Sequence, residues 1–128
     1  MAGLGTSGTF VGVTRYLKSR SRSVVCVSMQ PDGPMHGLEG MKHMASQMVP
    51  AIYDPTLADA SLEVVTEEAY AMCRRLAREE GVFVGPSSAA NVVAALRVAR
   101  EARSPATVVT ILCDGGGRYL SESFWEQE

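Results

Sequence analysis

Histidine occurs twice, tryptophan once and cysteine three times in the 128 residues, and each shortage closes off a class of function. Cys26, Cys73 and Cys113 are an odd, widely spaced set, which fits neither a disulfide framework nor a zinc site. Cys26 and Cys73 read as small buried hydrophobes. His36 and His43 stand with Glu39 between them, but Pro34, Gly37 and Gly40 break the helix that a two-histidine metal site would need, so no metal is expected. Charge of either sign is also scarce: 12 basic residues against 14 acidic ones leave a net charge of -2, which gives no field to draw in nucleic acid or an anionic membrane. No apolar run approaches the roughly 20 residues of a membrane span, and no basic segment followed by an apolar one opens the chain. The sequence reads as cytoplasmic, and its length as a single domain over residues 1–128.

What the chain does have is an alternation of apolar runs with helical patterns, which predicts an α/β domain built in layers on a parallel sheet. A helix is expected from Gly8 to about Arg20 with Phe10, Val13 and Leu17 on its inner stripe and a cationic, solvated end at Arg15, Lys18, Arg20 and Arg22. Val24–Met29 reads as a buried strand stopping at the turn Pro31-Asp32-Gly33-Pro34. Residues 31–63 are broken by prolines and glycines, a length of connector that is often functional, and Met41, Met44, Ala45 and Met48 predict a short helix filling an irregular core within it. Thr66 is read as the cap of a second helix with Ala69, Met72, Cys73, Leu76 and Ala77 inward and Gly81 as its stop. Then follow a short strand at Val82–Val84, a turn at Gly85-Pro86-Ser87-Ser88 with one serine as a helix cap, and a third helix with Val92, Ala95, Leu96 and Ala99 inward. Val108–Leu112 is the most strand-like run of all and delivers Cys113 and three glycines at its carboxyl end, where open α/β sheets bind ligands.

Three segments carry chemistry. Gly3-Leu4-Gly5-Thr6-Ser7-Gly8-Thr9 opens the first helix, so free backbone N–H groups and three hydroxyls gather at the positive end of its dipole, where a phosphate fits. Glycines let an anion approach the backbone and allow positive φ. No Walker lysine follows, the spacing is not that of a dinucleotide fold, and a plain turn satisfies the same pattern. The Ser87-Ser88 turn also enters a helix from the end of a strand and can face the same crevice. A nucleophilic role for Cys113 is not expected, because only Arg118 nearby offers activation.

Taken together, AGLGTSGTFVGVTRYLK, EEAYAMCRRLAREEGVFVGPSSAANVVAAL and VVTILCDGGGRYLSESFW resemble, in order and spacing, the latter part of the cysteine synthases, most of all the B-type group. The resemblance covers almost the whole chain and implies part of a fold type II pyridoxal-phosphate enzyme, similar to the tryptophan synthase β-subunit. It carries the phosphate cradle of pyridoxal 5′-phosphate onto Gly5, Thr6, Ser7, Gly8 and Thr9, with Ser7 where the family commonly has glycine. It places Ser87 opposite the pyridine nitrogen, where a hydroxyl donates without protonating the ring and so favours β-elimination and replacement. Pro86 and Ala89 depart from the family's turn, and Cys113 stands where many relatives have proline, against the cofactor's edge. The lysine that holds the cofactor covalently belongs to an amino-terminal portion that this chain lacks; Lys18 and Lys42 do not match it. With only Met1 and Ala2 before the cradle, the chain is expected to be an incomplete, inactive part, with no catalytic residue of its own. The implied partners of the complete enzyme are an activated serine, O-acetylserine or O-phosphoserine, a sulfur donor, and a second copy in a homodimer. A dehydratase or cystathionine-forming relative, a non-catalytic phosphate-binding or interaction module, and a fragment that does not fold alone are the alternative readings.

Overall fold

A computed structural model describes residues 1–103 and 105–127. Its sheet has three parallel strands in sequence order: β1 (Ala2–Gly3), β2 (Val27–Pro31) and β3 (Ala60–Val64). Ala2 stands opposite Ser28, and Val27 through Pro31 run opposite Ala60 through Val64. Three helices pack on it, α1 (Gly8–Arg20), α2 (Thr66–Glu79) and α3 (Pro86–Glu101).

Two separate cores pack against the sheet. Met29 joins Leu38, Met41, Val64, Ala69, Ala90, Val93 and Ala94 beneath α2 and α3. On the opposite face, Ala2, Leu4, Phe10, Cys26 and Met44 pack beneath α1. The result is the expected three-layer α/β arrangement on a parallel sheet. A third cluster, Cys73, Val84, Ala89, Tyr119 and Phe124, fastens the carboxyl-terminal tail to α2 and α3. There Tyr70 stacks on Phe124 with ring centroids 4.3 Å apart, and Arg74 donates to the Phe124 carbonyl at 2.7 Å.

Several local expectations need correction. The strand after α1 begins at Val27, not Val24, and includes Pro31, because Val27 through Pro31 are the residues that pair with β3. No helix forms over 41–48; Met41 and Met44 are buried from irregular backbone, tied by Lys42 N–H to the Leu4 carbonyl and Met44 N–H to Gln30 Oε1, while Met48 is exposed. Thr66 does not cap α2: its Oγ1 accepts from Gly37 N–H at 3.0 Å, and Val65 is the cap residue. Val82–Val84 forms no strand, only an antiparallel bridge between Val84 and Gly115. Val108–Leu112 joins no ladder. In α1 the buried residues are Phe10, Val11 and Thr14, and in α3 the most buried stripe is Ala90, Val93 and Ala94 rather than Val92, Ala95, Leu96 and Ala99. Gly81 does end the α2 region, with φ of +66°.

The cationic end of α1 is paired in part: Lys18 meets both oxygens of Asp59 at 2.6 Å, and Asp59 also accepts from Cys26 N–H at 2.7 Å. No helix among the described residues is long and apolar enough to cross a membrane. No group of three or more His, Cys, Asp or Glu side chains among them can hold a metal ion.

Candidate functional site

The loop from β1 to α1 makes a sharp turn at Ser7, whose φ of 69° and ψ of -2° lie in the left-handed region. It leads into α1, whose first N–H groups have no intrahelical partner. No acidic side chain occupies the first turn of α1, so its positive pole is not neutralised from within. Ser7 is 2% exposed, makes no capping bond, and its Oγ has no hydrogen-bond partner. A buried hydroxyl without a partner is costly unless something else completes it. Thr6 Oγ1 accepts only a long 3.5 Å bond from Gly8 N–H.

Of the two glycines in the loop's centre, one is required by a close approach and the other is not. A Cβ on Gly5 would lie 2.2 Å from the Gly40 carbonyl oxygen, so the connector can close over the loop only on a bare backbone. A Cβ on Gly8 would meet only ordinary contacts, Thr6 Oγ1 at 3.6 Å and Ile52 Cδ1 at 3.9 Å.

The other side of the site is the entry to α3. Gly85 is the cap residue and Ser87 and Ser88 lie inside the first turn, neither capping the helix by its side chain, which corrects the expectation of a serine cap. Ser88 faces away and bonds the backbone of Asp114, donating to its carbonyl at 3.3 Å and accepting from its N–H at 3.2 Å. Asn91, fully buried, donates to the Ile111 carbonyl at 2.9 Å and to Cys113 Sγ at 3.5 Å. These bonds hold residues 111–114 against α3 although they belong to no ladder.

Gly5, Thr6, Ser7, Gly8 and Thr9, with Ser87 and Cys113, all line one cavity of about 390 Å³, a size suited to a small ligand. Three segments distant in sequence thus converge on one space, and all seven residues singled out from the sequence are among them. The same wall includes residues that sequence reasoning did not assign: Gly3, Glu39, Gly40, Met41, Asp114 and Tyr119. The connector's proline and glycine content was a signal for the middle three; nothing in the pattern signalled Asp114. Tyr119 donates to Asp114 Oδ2 at 2.7 Å, whereas Asp114 Oδ1 is buried without a partner. Burial, reinforced by that bond, pushes the Tyr119 phenol well above its ordinary range, so it stays a donor. Cys73 is buried, and desolvation pushes its thiol up to about 12; it has no place in the cavity.

Unpaired helix N–H groups, an unpartnered buried hydroxyl and a glycine floor suit a phosphate monoester at one end of this cavity. Ser87 and Cys113 add a hydroxyl and a thiol to the same cavity. The family model for "pyridoxal-phosphate dependent enzyme" matches residues 1–114. The chain belongs to that family. Cysteine synthase B of Pseudomonas aeruginosa is 41% identical over 98% of this chain and 42% of its own length. Among solved structures, O-acetyl serine sulfhydrylase isoform 3 from Entamoeba histolytica superposes with a TM-score of 0.90 at 30% identity, over 99% of this chain and 40% of that one. An O-acetylserine dependent cystathionine beta-synthase from Helicobacter pylori gives 0.87 at 32% identity, over 97% of this chain and 42% of that one. The fold is therefore part of fold type II, and the family's cofactor is pyridoxal phosphate. The chain spans about two-fifths of the length of the curated relatives it matches.

Proposed function

We propose that this chain is the cofactor-phosphate part of a cytoplasmic cysteine synthase-like enzyme that replaces the leaving group of O-acetylserine or O-phosphoserine with a sulfur nucleophile. Pyridoxal phosphate, when bound, supplies the electron sink for that exchange. In this reading the amides of residues 5–9 and the Ser7 hydroxyl would hold the phosphate, the Ser87 hydroxyl would donate to the ring nitrogen without giving up its proton, and Cys113 would lie beside the ring. Asp114 and Tyr119 keep the turn at Gly85 in place, since a Cβ there would meet Asp114 Oδ1 at 2.3 Å and Tyr119 Cε2 at 2.5 Å. The single observation behind the proposal is the convergence of Ser7, Ser87 and Cys113 on one cavity beside the unneutralised start of α1. Because neither Lys18 nor Lys42 lines that cavity, the chain by itself is inactive and forms no covalent lysine adduct with the cofactor.

The test is a titration of the isolated chain with inorganic phosphate and with pyridoxal phosphate, followed by amide NMR. Saturable shifts centred on residues 5–9 are expected with both, and shifts at Ser87 and Cys113 only with the cofactor. In Gly8→Asp the new carboxylate stands at a helix start where its Cβ meets only ordinary contacts, so stability holds or rises while phosphate affinity falls by at least about tenfold. Shifts centred elsewhere, or an unchanged affinity in Gly8→Asp, refute the assignment. Cysteine formation from O-acetylserine and sulfide by the isolated chain would refute its inactivity. The solved relative named for cystathionine formation favours one second reading, in which the acceptor is a larger thiol; product analysis of a complete homologue separates the two.

A further inference from the structure

Asn91 sits in α3 four residues after Ser87 and three after Ser88, so the three side chains share one side of the helix. It is 1% exposed, and the residues buried around it on the same helix, Ala89, Ala90 and Ala94, are small. A further alanine would let α3 pack as closely. The carboxamide instead leaves Oδ1 buried without a partner, beside Gly3, where a Cβ would come within 3.1 Å of it. Such an acceptor is a net cost, so packing does not account for the asparagine.

Its Nδ2 group does. One hydrogen goes to the Ile111 carbonyl at 2.9 Å and the other to Cys113 Sγ at 3.5 Å. The Ile111 carbonyl fixes which way the amide points, since the turned amide would set Oδ1 against another oxygen. Ser88 already clamps both the N–H and the carbonyl of Asp114, so the backbone next to Cys113 is held without any bond to sulfur. Sulfur is a weak acceptor and adds little stability; what the bond adds is direction. It occupies the acceptor side of the thiol. The one carbonyl that the S–H meets among the described residues is that of Ile111, at 3.9 Å, and Asn91 already donates to it. The S–H hydrogen is left for the cavity that Cys113 lines together with Ser87.

We propose that Asn91 is a positioning residue: it turns Cys113 so that the thiol serves as a hydrogen-bond donor in the cavity, alongside the Ser87 hydroxyl, toward a ligand edge that carries acceptors. Asn91 itself stays behind the wall and acts only through the sulfur. That the ligand is the cofactor rests on the reading given above; the orientation of the thiol does not.

The experiment reads the Hα–Hβ couplings of Cys113 by NMR in the free chain, and the affinities for inorganic phosphate and for pyridoxal phosphate, in the unaltered chain, Asn91→Ala, Cys113→Ala and the double variant. A single staggered rotamer of Cys113 is expected in the unaltered chain and averaged couplings in Asn91→Ala. Affinity for pyridoxal phosphate is expected to fall about threefold in either single variant, and Asn91→Ala to cost nothing further once Cys113 is alanine, while phosphate affinity stays within about twofold throughout. Should Asn91→Ala fail to fold, Cys113→Ser decides: one rotamer and an affinity within about twofold support the proposal, averaged rotamers overturn it. An unchanged Cys113 rotamer in Asn91→Ala, additive losses in the double variant, or equal losses for phosphate and cofactor, the mark of general loosening, also overturn it. If pyridoxal phosphate shifts nothing at residues 5–9, the cofactor reading falls and the couplings in the free chain judge Asn91 by themselves.

Discussion

Ser7 is the residue at which the cradle is least comfortable and most informative. A non-glycine residue in the left-handed region costs about 1–2 kcal/mol, and its buried hydroxyl without a partner adds to that. Ser7→Gly is therefore expected to raise the free energy of unfolding by about 1 kcal/mol, read as a higher urea midpoint. Phosphate affinity is expected to fall a few-fold in the same variant, because a donor has gone. A lower midpoint would mean that the serine is not strained. The resemblance already marked this position as one where relatives carry glycine, but only the backbone angle explains why. Asp114 shows the reverse case: nothing in Cys113-Asp114-Gly115 signals that its side chain, through Tyr119, braces the turn bearing Ser87.

At the scale of elements, α1 was legible to the residue, because a glycine-rich entry and a cationic end bracket it; the strands were not. Parallel strands buried on both faces read as apolar runs without alternation, so Val24–Met29 and Val108–Leu112 look equally strand-like, and only pairing decides between them. Val108–Leu112 lies outside the ladder despite the strongest propensity, while Ala60–Val64, with two polar residues, lies inside it. Likewise Val92, Ala95, Leu96 and Ala99 form a helical stripe, but burial follows the small residues that let α3 approach the sheet closely. Thr66 was misread because a threonine at a helix start fits two roles. Its hydroxyl serves the connector, so Thr66→Val is expected to cost about 1–2 kcal/mol by leaving Gly37 N–H without an acceptor. Hydrogen exchange should quicken at Gly37 and stay unchanged in the first turn of α2; quickening in the helix instead would restore the capping role.

For the molecule as a whole, the layered α/β plan and the single cavity fed by three segments were both readable in advance, since glycine-rich turns at strand ends imply a shared crevice. The tail's anchorage was not, because it depends on contacts between Tyr70, Arg74 and Phe124 far apart in sequence. Alkaline pH tests this packing globally. Cys73 rises from its ordinary 9.0 to about 12, and burial raises Tyr119 and Tyr70 above 10.0. Each keeps its proton in the fold after the unfolded chain has released it, so stability is fully present below pH 9 and declines as pH rises toward 12. Cys73→Ala is expected to delay the start of that decline to the tyrosine range in urea titrations at stepped pH; a decline that begins unchanged at 9 would place the cause elsewhere.

The short turn Gly116–Tyr119 ends on a residue that stands in the cavity wall and is also held by Trp125, whose indole N–H donates to the Tyr119 carbonyl at 2.7 Å. Tyr119 thus joins the last turn of the chain to Asp114 and, through it, to the start of α3. Removing the Trp125 indole would loosen the wall beside Ser87 without touching a residue of the cradle, which makes this side chain, itself outside the cavity, a remote adjuster of how firmly a ligand is seated.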